Sequence, residues 1–137
     1  MKKNFILFLL MAFVNVVDAS ALNSKPAGDS PTSIGIVIYS NDTETVWNAM
    51  RLANYSKNQG DTVSIFLLGK GVELDDLVKT DSTMKEQTDK FLGTGGTILG
   101  CGTCLTSRKK NEPEVCKFSS LKDLYELIRR NKIVLTF

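Results

Sequence analysis

The sequence has no histidine and only three cysteines in 137 residues, and these two shortages narrow its chemistry first. Without histidine there is no Ser-His-Asp or Cys-His catalysis within one chain. The usual zinc sites are excluded too, because three thiols fall short of the four ligands of a structural site. A strong charge of either sign is also missing: 17 basic residues face 15 acidic ones, for a net charge of +2. That balance offers no electrostatic footprint for nucleic acid, and no polybasic run is long enough to hold anionic lipid. The short runs Arg108-Lys109-Lys110 and Arg129-Arg130 read as solvated helix ends, with Arg108 set apart for a reason given below. Gly93-Thr-Gly-Gly96 lacks a following Lys-Ser/Thr, so it is not a phosphate-binding loop. No internal repeat is present, and the length suits one domain.

What is present begins with a targeting signal. Lys2 and Lys3 precede an apolar stretch, Phe5 to Val17, and Ala19-Ser20-Ala21 is a small-x-small cleavage pattern. Together they predict a secretory signal peptide over 1–21, cleaved near Ala21, and hence a periplasmic or secreted protein. The stretch falls short of the roughly 20 apolar residues of a comfortable membrane span, so no stable membrane association is expected after cleavage. An uncleaved anchor is the alternative. Cleavage removes two lysines and one aspartate, which leaves the net charge one unit lower. A flexible leader rich in Ser, Pro, Gly and Asn follows over 22–33.

From residue 34 the pattern alternates. Ile34-Gly-Ile-Val-Ile-Tyr39 and Thr62 to Leu68 read as strands buried on both faces. Between them Val46, Ala49, Met50 and Ala53 mark one face of a helix that ends at Gly60. A short helical turn over Glu73 to Val78 and a helix from Ser82 to Leu92 follow. Gly95 to Gly100 reads as a third strand, Thr103 to Lys110 as a short helix, and Val115 to Phe118 as a small strand. Ser119-Ser120 caps a last helix with Leu121, Leu124, Tyr125 and Ile128 as its apolar face, and Ile133 to Phe137 is a final strand. Strands alternating with helices predict a single α/β domain, 34–137, whose mostly parallel sheet is covered on both faces. Such sheets bind ligands at the carboxyl ends of their strands.

Cys101 and Cys104 sit at one of those ends. A strand-to-helix junction offers N–H groups and a helix dipole, both of which favour a thiolate. Gly100 and Gly102 flank Cys101 and remove side-chain bulk, which opens a path for another protein's sulfur to approach closely. Arg108, four residues after Cys104, shares its helical face and can add positive charge. Such a thiolate can take up sulfane sulfur as a persulfide or exchange with a disulfide, and the second thiol can resolve the first. A plain structural disulfide is the alternative. In an oxidising compartment cysteines tend to pair, so an odd number leaves one thiol free or bound to another molecule. Cys116 reads as a small buried hydrophobe. Glu73 with Asp75-Asp76 reads as a solvated acidic loop. Trp47 reads as a core or oligomer contact, and Asn41 and Asp42 as capping residues at the cysteine edge.

These residues carry a family resemblance. Tyr39-Ser-Asn-Asp42 with the helix after it, Val63 to Gly69, Cys101-Gly-Thr-Cys-Leu-Thr-Ser-Arg108, and the tail from Ser119 to Phe137 together resemble the DsrE/DsrF-like sulfur-transfer family, which includes TusD-type relay subunits and YchN-like proteins. The resemblance implies a three-layer sandwich with about five strands, flavodoxin-like in general architecture. It implies a sulfur carrier or sulfurtransferase using Cys101, Cys104 and Arg108, which fall on a C-x-x-C-x-x-x-R-G pattern. It also implies a homo-oligomer, trimer or hexamer, working with sulfur donors and acceptors and with no cofactor. Two departures stand out. Lys109 replaces the glycine after the arginine, and the relay members are cytoplasmic whereas this chain carries an export signal. The reading is therefore an exported carrier with the persulfide on Cys101. The alternatives are a periplasmic thiol-disulfide oxidoreductase using the same pair, or a module presenting thiolates to a metal such as copper(I).

Overall fold

The computed structural model describes residues 30–137. The signal peptide and most of the leader lie outside the described residues. The chain runs β1 (Ser33–Ile38), α1 (Thr43–Asn58), β2 (Thr62–Leu67), a 3-10 turn (Gly69–Glu73), α2 (Leu74–Thr80), α3 (Ser82–Gly93), β3 (Thr97–Cys101), α4 (Gly102–Ser107), β4 (Lys117–Ser119), α5 (Leu121–Arg130) and β5 (Ile133–Thr136). The five strands form one sheet in the order β4-β3-β2-β1-β5, and every neighbouring pair is parallel. From β1 to β4 the chain steps across the sheet in one direction, so crossovers of one hand keep α1, α2 and α3 on one face. The link from β4 to β5 returns over the whole sheet, which puts α5 on the other. Gly35 marks that second face: a Cβ there would stand 2.5 Å from Leu127 Cδ2.

The core lies between the sheet and the three-helix layer. Ile36, Ile38, Ile65 and Leu67 are fully buried, as are Val46, Ala49, Met50 and Ala53 of α1. A fully buried aliphatic side chain of this size contributes about 1.5–3 kcal/mol. The centre of the sheet, rather than its edges, therefore fixes the fold. Trp47 packs half-buried against this core with the Arg51 guanidinium 4.3 Å over its ring, and its Nε1 is buried with no hydrogen-bond partner among the described residues.

Three elements differ from expectation for local reasons. β3 starts at Thr97 because Gly95 turns at φ 77° and Gly96 lies under Phe91, whose ring would be 2.5 Å from a Cβ there. β4 starts two residues late, at Lys117, because the Glu114 and Val115 N–H groups donate to the Asp75 carboxylate at 3.1 and 3.0 Å instead of to a strand. In α5 only Leu127 is buried, with Leu124 half-buried, while Leu121, Tyr125 and Ile128 are exposed. The expected apolar face is thus split: one flank meets the sheet and the other meets solvent.

Candidate functional site: a thiol pair at the sheet edge

Cys101 ends β3 and caps α4, so strand and helix meet on one residue. Its Sγ accepts the Cys104 N–H at 3.3 Å, and the Cys104 thiol lies 2.6 Å from the same sulfur. Both cysteines are free. Gly69, opening the 3-10 turn after β2, donates its N–H to Cys104 Sγ at 3.3 Å. Each sulfur therefore receives one backbone N–H, and the two touch. Cys101 is buried and Cys104 is half-exposed. Burial pushes the Cys101 thiol up, and the neighbouring Cys104 thiol pushes the same way; the N–H groups of Cys104 and Thr103 oppose both.

The flanking glycines serve packing rather than access. A Cβ on Gly100 would stand 2.6 Å from Cys116 Sγ and 3.0 Å from Leu105 Cδ1. One on Gly102 would meet the Ser119 carbonyl oxygen at 3.2 Å and the Phe118 ring at 3.3 Å. The protein itself fills the space they leave, which corrects the expectation that they open a path to Cys101.

Arg108 is the C-cap of α4. It does not hydrogen-bond to a thiol among the described residues. Nε donates to Glu73 Oε1 at 2.9 Å and one terminal nitrogen to the Cys104 carbonyl oxygen at 3.2 Å. Asn41 Nδ2 donates to the other Glu73 oxygen at 2.8 Å. The Arg108 hydrogen bond, then that of Asn41, holds the Glu73 carboxyl below its usual range. Asn41 is thus no capping residue; Asp42 is, accepting the Thr45 N–H at 2.9 Å.

The acidic stretch is likewise no solvated loop. Glu73 holds Arg108, Asp75 is buried and takes the two backbone N–H groups before Cys116, and Asp76 pairs with Lys110 at 2.6 Å. Sequence reading missed this because the partners lie 34 to 40 residues away. The only hint was three acids opposite a basic run of similar length.

Beyond Arg108, the Lys110 N–H reaches the Leu105 carbonyl and the Lys109 N–H that of Thr106. This is a Schellman closure, which wants a left-handed residue at its turn. Lys109 occupies that place at φ 57°. The glycine of the C-x-x-C-x-x-x-R-G pattern would sit there without strain.

Cys116 is separate. It is buried against Gly100, and burial, with Asp75 adding to it, pushes its thiol up to about 12. Among the described residues no group of three or more Cys, Asp or Glu is placed to hold a metal ion.

Comparison with known proteins bears on the fold and the family. The model of the DsrE/DsrF-like family matches residues 32–137. The crystal structure of the ychN protein from E. coli superposes with a TM-score of 0.66 at 16% identity, covering 79% of this chain and all of that one. A conserved protein of unknown function from Bacteroides thetaiotaomicron superposes at 0.64 with 23% identity, covering 84% of this chain and all of its own. No curated protein sequence matches. The all-parallel five-stranded sheet and the family match over residues 32–137 make this chain a member of the DsrE/DsrF-like family.

Proposed function

We propose that this protein carries sulfane sulfur as a persulfide on Cys101, with Cys104 as the resolving thiol. The observation that supports this most is the pair of touching sulfurs, each receiving a backbone N–H, at the carboxyl end of β3 in a DsrE/DsrF-like domain. The Cys101 thiolate attacks the terminal sulfur of a donor persulfide. The donor S–S bond breaks and the donor leaves as a thiol. An acceptor thiolate can then take the outer sulfur and return Cys101 to a thiol. Otherwise Cys104 attacks the inner sulfur, which releases hydrosulfide and closes the Cys101–Cys104 disulfide, to be reopened by an external dithiol. The N–H of Cys104 on Cys101 Sγ favours the charged form at each stage.

Two single variants test the roles. Cys104→Ser should keep one sulfur after loading with a sulfane donor, and Cys101→Ser should keep none. Equal loading of both would sink the assignment. A dithiol oxidoreductase using the same pair is the alternative, and the 2.6 Å sulfur contact does not separate the two. It requires both thiols for turnover on a scrambled disulfide substrate, so Cys104→Ser would be inactive there.

We further propose that the protein is exported and self-associates. Export rests on residues 1–21. No helix among the described residues is long and apolar enough to cross a membrane. Self-association rests on α5, where Leu121, Tyr125 and Ile128 are 72%, 63% and 47% exposed in one stripe. Tyr125→Glu should lower the sedimenting mass; an unchanged mass would remove α5 from the interface.

A further inference from the structure

Glu73 joins the 3-10 turn that hydrogen-bonds Cys104 to the helix α4 on which Cys104 sits. The 3-10 turn starts at Gly69, whose N–H is on Cys104 Sγ, and ends at Glu73. The helix α4 starts next to Cys101 and closes at Arg108. Glu73 binds Arg108 across that gap, and Arg108 in turn holds the carbonyl of Cys104 itself. Asn41, from the loop after β1, fixes the second carboxylate oxygen, so three loops of the same sheet edge converge on one side chain. The ion pair is about 70% shielded on both sides, with 30% and 29% of the two side chains exposed. A pair so shielded, with a second hydrogen bond fixing the carboxylate, resists screening better than an exposed one.

We infer that Glu73 and Asn41 are positioning residues for the dithiol: they clamp α4 onto the 3-10 turn, and so hold Cys104 within bonding reach of Cys101 at the end of β3. The inference rests on the proposed thiol chemistry but concerns the closing of the pair, not the cargo. In that step the two thiols lose two protons and two electrons to glutathione disulfide. One S–S bond forms between Cys101 and Cys104, and two molecules of glutathione are released. A loosened clamp leaves the glutathione chemistry as it was and lowers only the effective concentration of one thiol at the other.

The experiment equilibrates the protein in glutathione buffers of graded ratio and reads the fraction of Cys101–Cys104 disulfide by mass after acid quench. Glu73→Ala should shift the equilibrium about three- to tenfold toward the dithiol, the range of a part-buried ion pair. Asn41→Ala should shift it less, and Glu73→Gln, which still accepts from Arg108, should recover part of the loss. Asp76→Asn is the control. It breaks the neighbouring pair with Lys110 while leaving the Glu73 hydrogen bonds to Arg108 and Asn41 in place, so its redox equilibrium should stay close to the wild type. If Glu73→Ala stays folded with an unchanged equilibrium, or Asp76→Asn shifts as far, the clamp is refuted. Sulfur loading of the wild type is measured apart from this, so the positioning role and the carrier reading can fail independently.

Discussion

The two edges of the sheet are built to opposite standards. At the edge opposite the thiols, α1 closes on Gly60 at φ 94°, with the Asp61 N–H on the Ser56 carbonyl and the Gly60 N–H on that of Lys57. At the thiol edge α4 closes through the same pair of bonds but with Lys109 at the turn. At these two helix closures the quiet edge has the residue its backbone asks for, and the thiol edge does not. The thiol edge also gathers the touching sulfurs, the raised Cys101 thiol and an ion pair drawn from distant segments. Local departures from the cheapest solution thus collect where the chemistry is proposed, as expected of functional sites.

The largest effect expected from this contrast is chemical. At pH 8, iodoacetamide should label Cys104 at least about a hundredfold faster than Cys116, whose thiol is buried and pushed up to about 12. Comparable rates in the folded protein would erase the distinction between edge and core thiols. Next comes packing. Gly100→Ala drives a methyl to 2.6 Å from Cys116 Sγ and should cost about 1–3 kcal/mol by denaturant unfolding. Adding Cys116→Ala should recover much of that loss, and no recovery would place the clash elsewhere.

The helix ends supply a reciprocal test. Gly60→Lys should destabilise by about 1 kcal/mol and Lys109→Gly should stabilise by about 0.5–1 kcal/mol, with thiol labelling unchanged in the first. Equal and negligible effects would show that the left-handed turn at Lys109 stores nothing. The smallest effect is the acid limb. The Glu73 carboxyl is held below its ordinary 4.5, chiefly by Arg108. The stability it adds is therefore fully present above pH 4.5 and is lost as pH falls through its lower folded value. Glu73→Gln should lower Tm at neutral pH by about 2–4 °C, flatten its fall in that window and meet the wild-type curve below it. A parallel curve would assign the acid limb to the exposed caps Asp42, Asp81 and Asp123, which are lowered too.

The quiet parts of the molecule were the legible ones. The β-branched run from Ile34 and the stripe Val46, Ala49, Met50, Ala53 announced β1 and α1, because burial there follows local periodicity. Cys101 and Cys104 were legible as a pair from spacing alone. Illegible was everything that depends on partners far along the chain. Glu73, Asp75 and Asp76 look like any acidic loop until the fold brings Arg108, the 114–115 backbone and Lys110 to them. Arg108 shares the helix with Cys104, but its direction was set by Glu73. The stripe on α5 has helical period on both of its flanks, and periodicity cannot say which flank meets the sheet.

One measurement bears most directly on the claim that the edge pair, and not Cys116, carries sulfur. The reduced Cys104→Ser variant, which cannot expel the sulfur, is loaded with a sulfane donor, freed of excess, cleaved with trypsin and mapped by mass. Cys101 and Cys104 fall on one tryptic peptide, ending at Arg108, and Cys116 on another, ending at Lys117. The account predicts one added sulfur on the first peptide and none on the second. Added sulfur on the Cys116 peptide, or on neither, would contradict it.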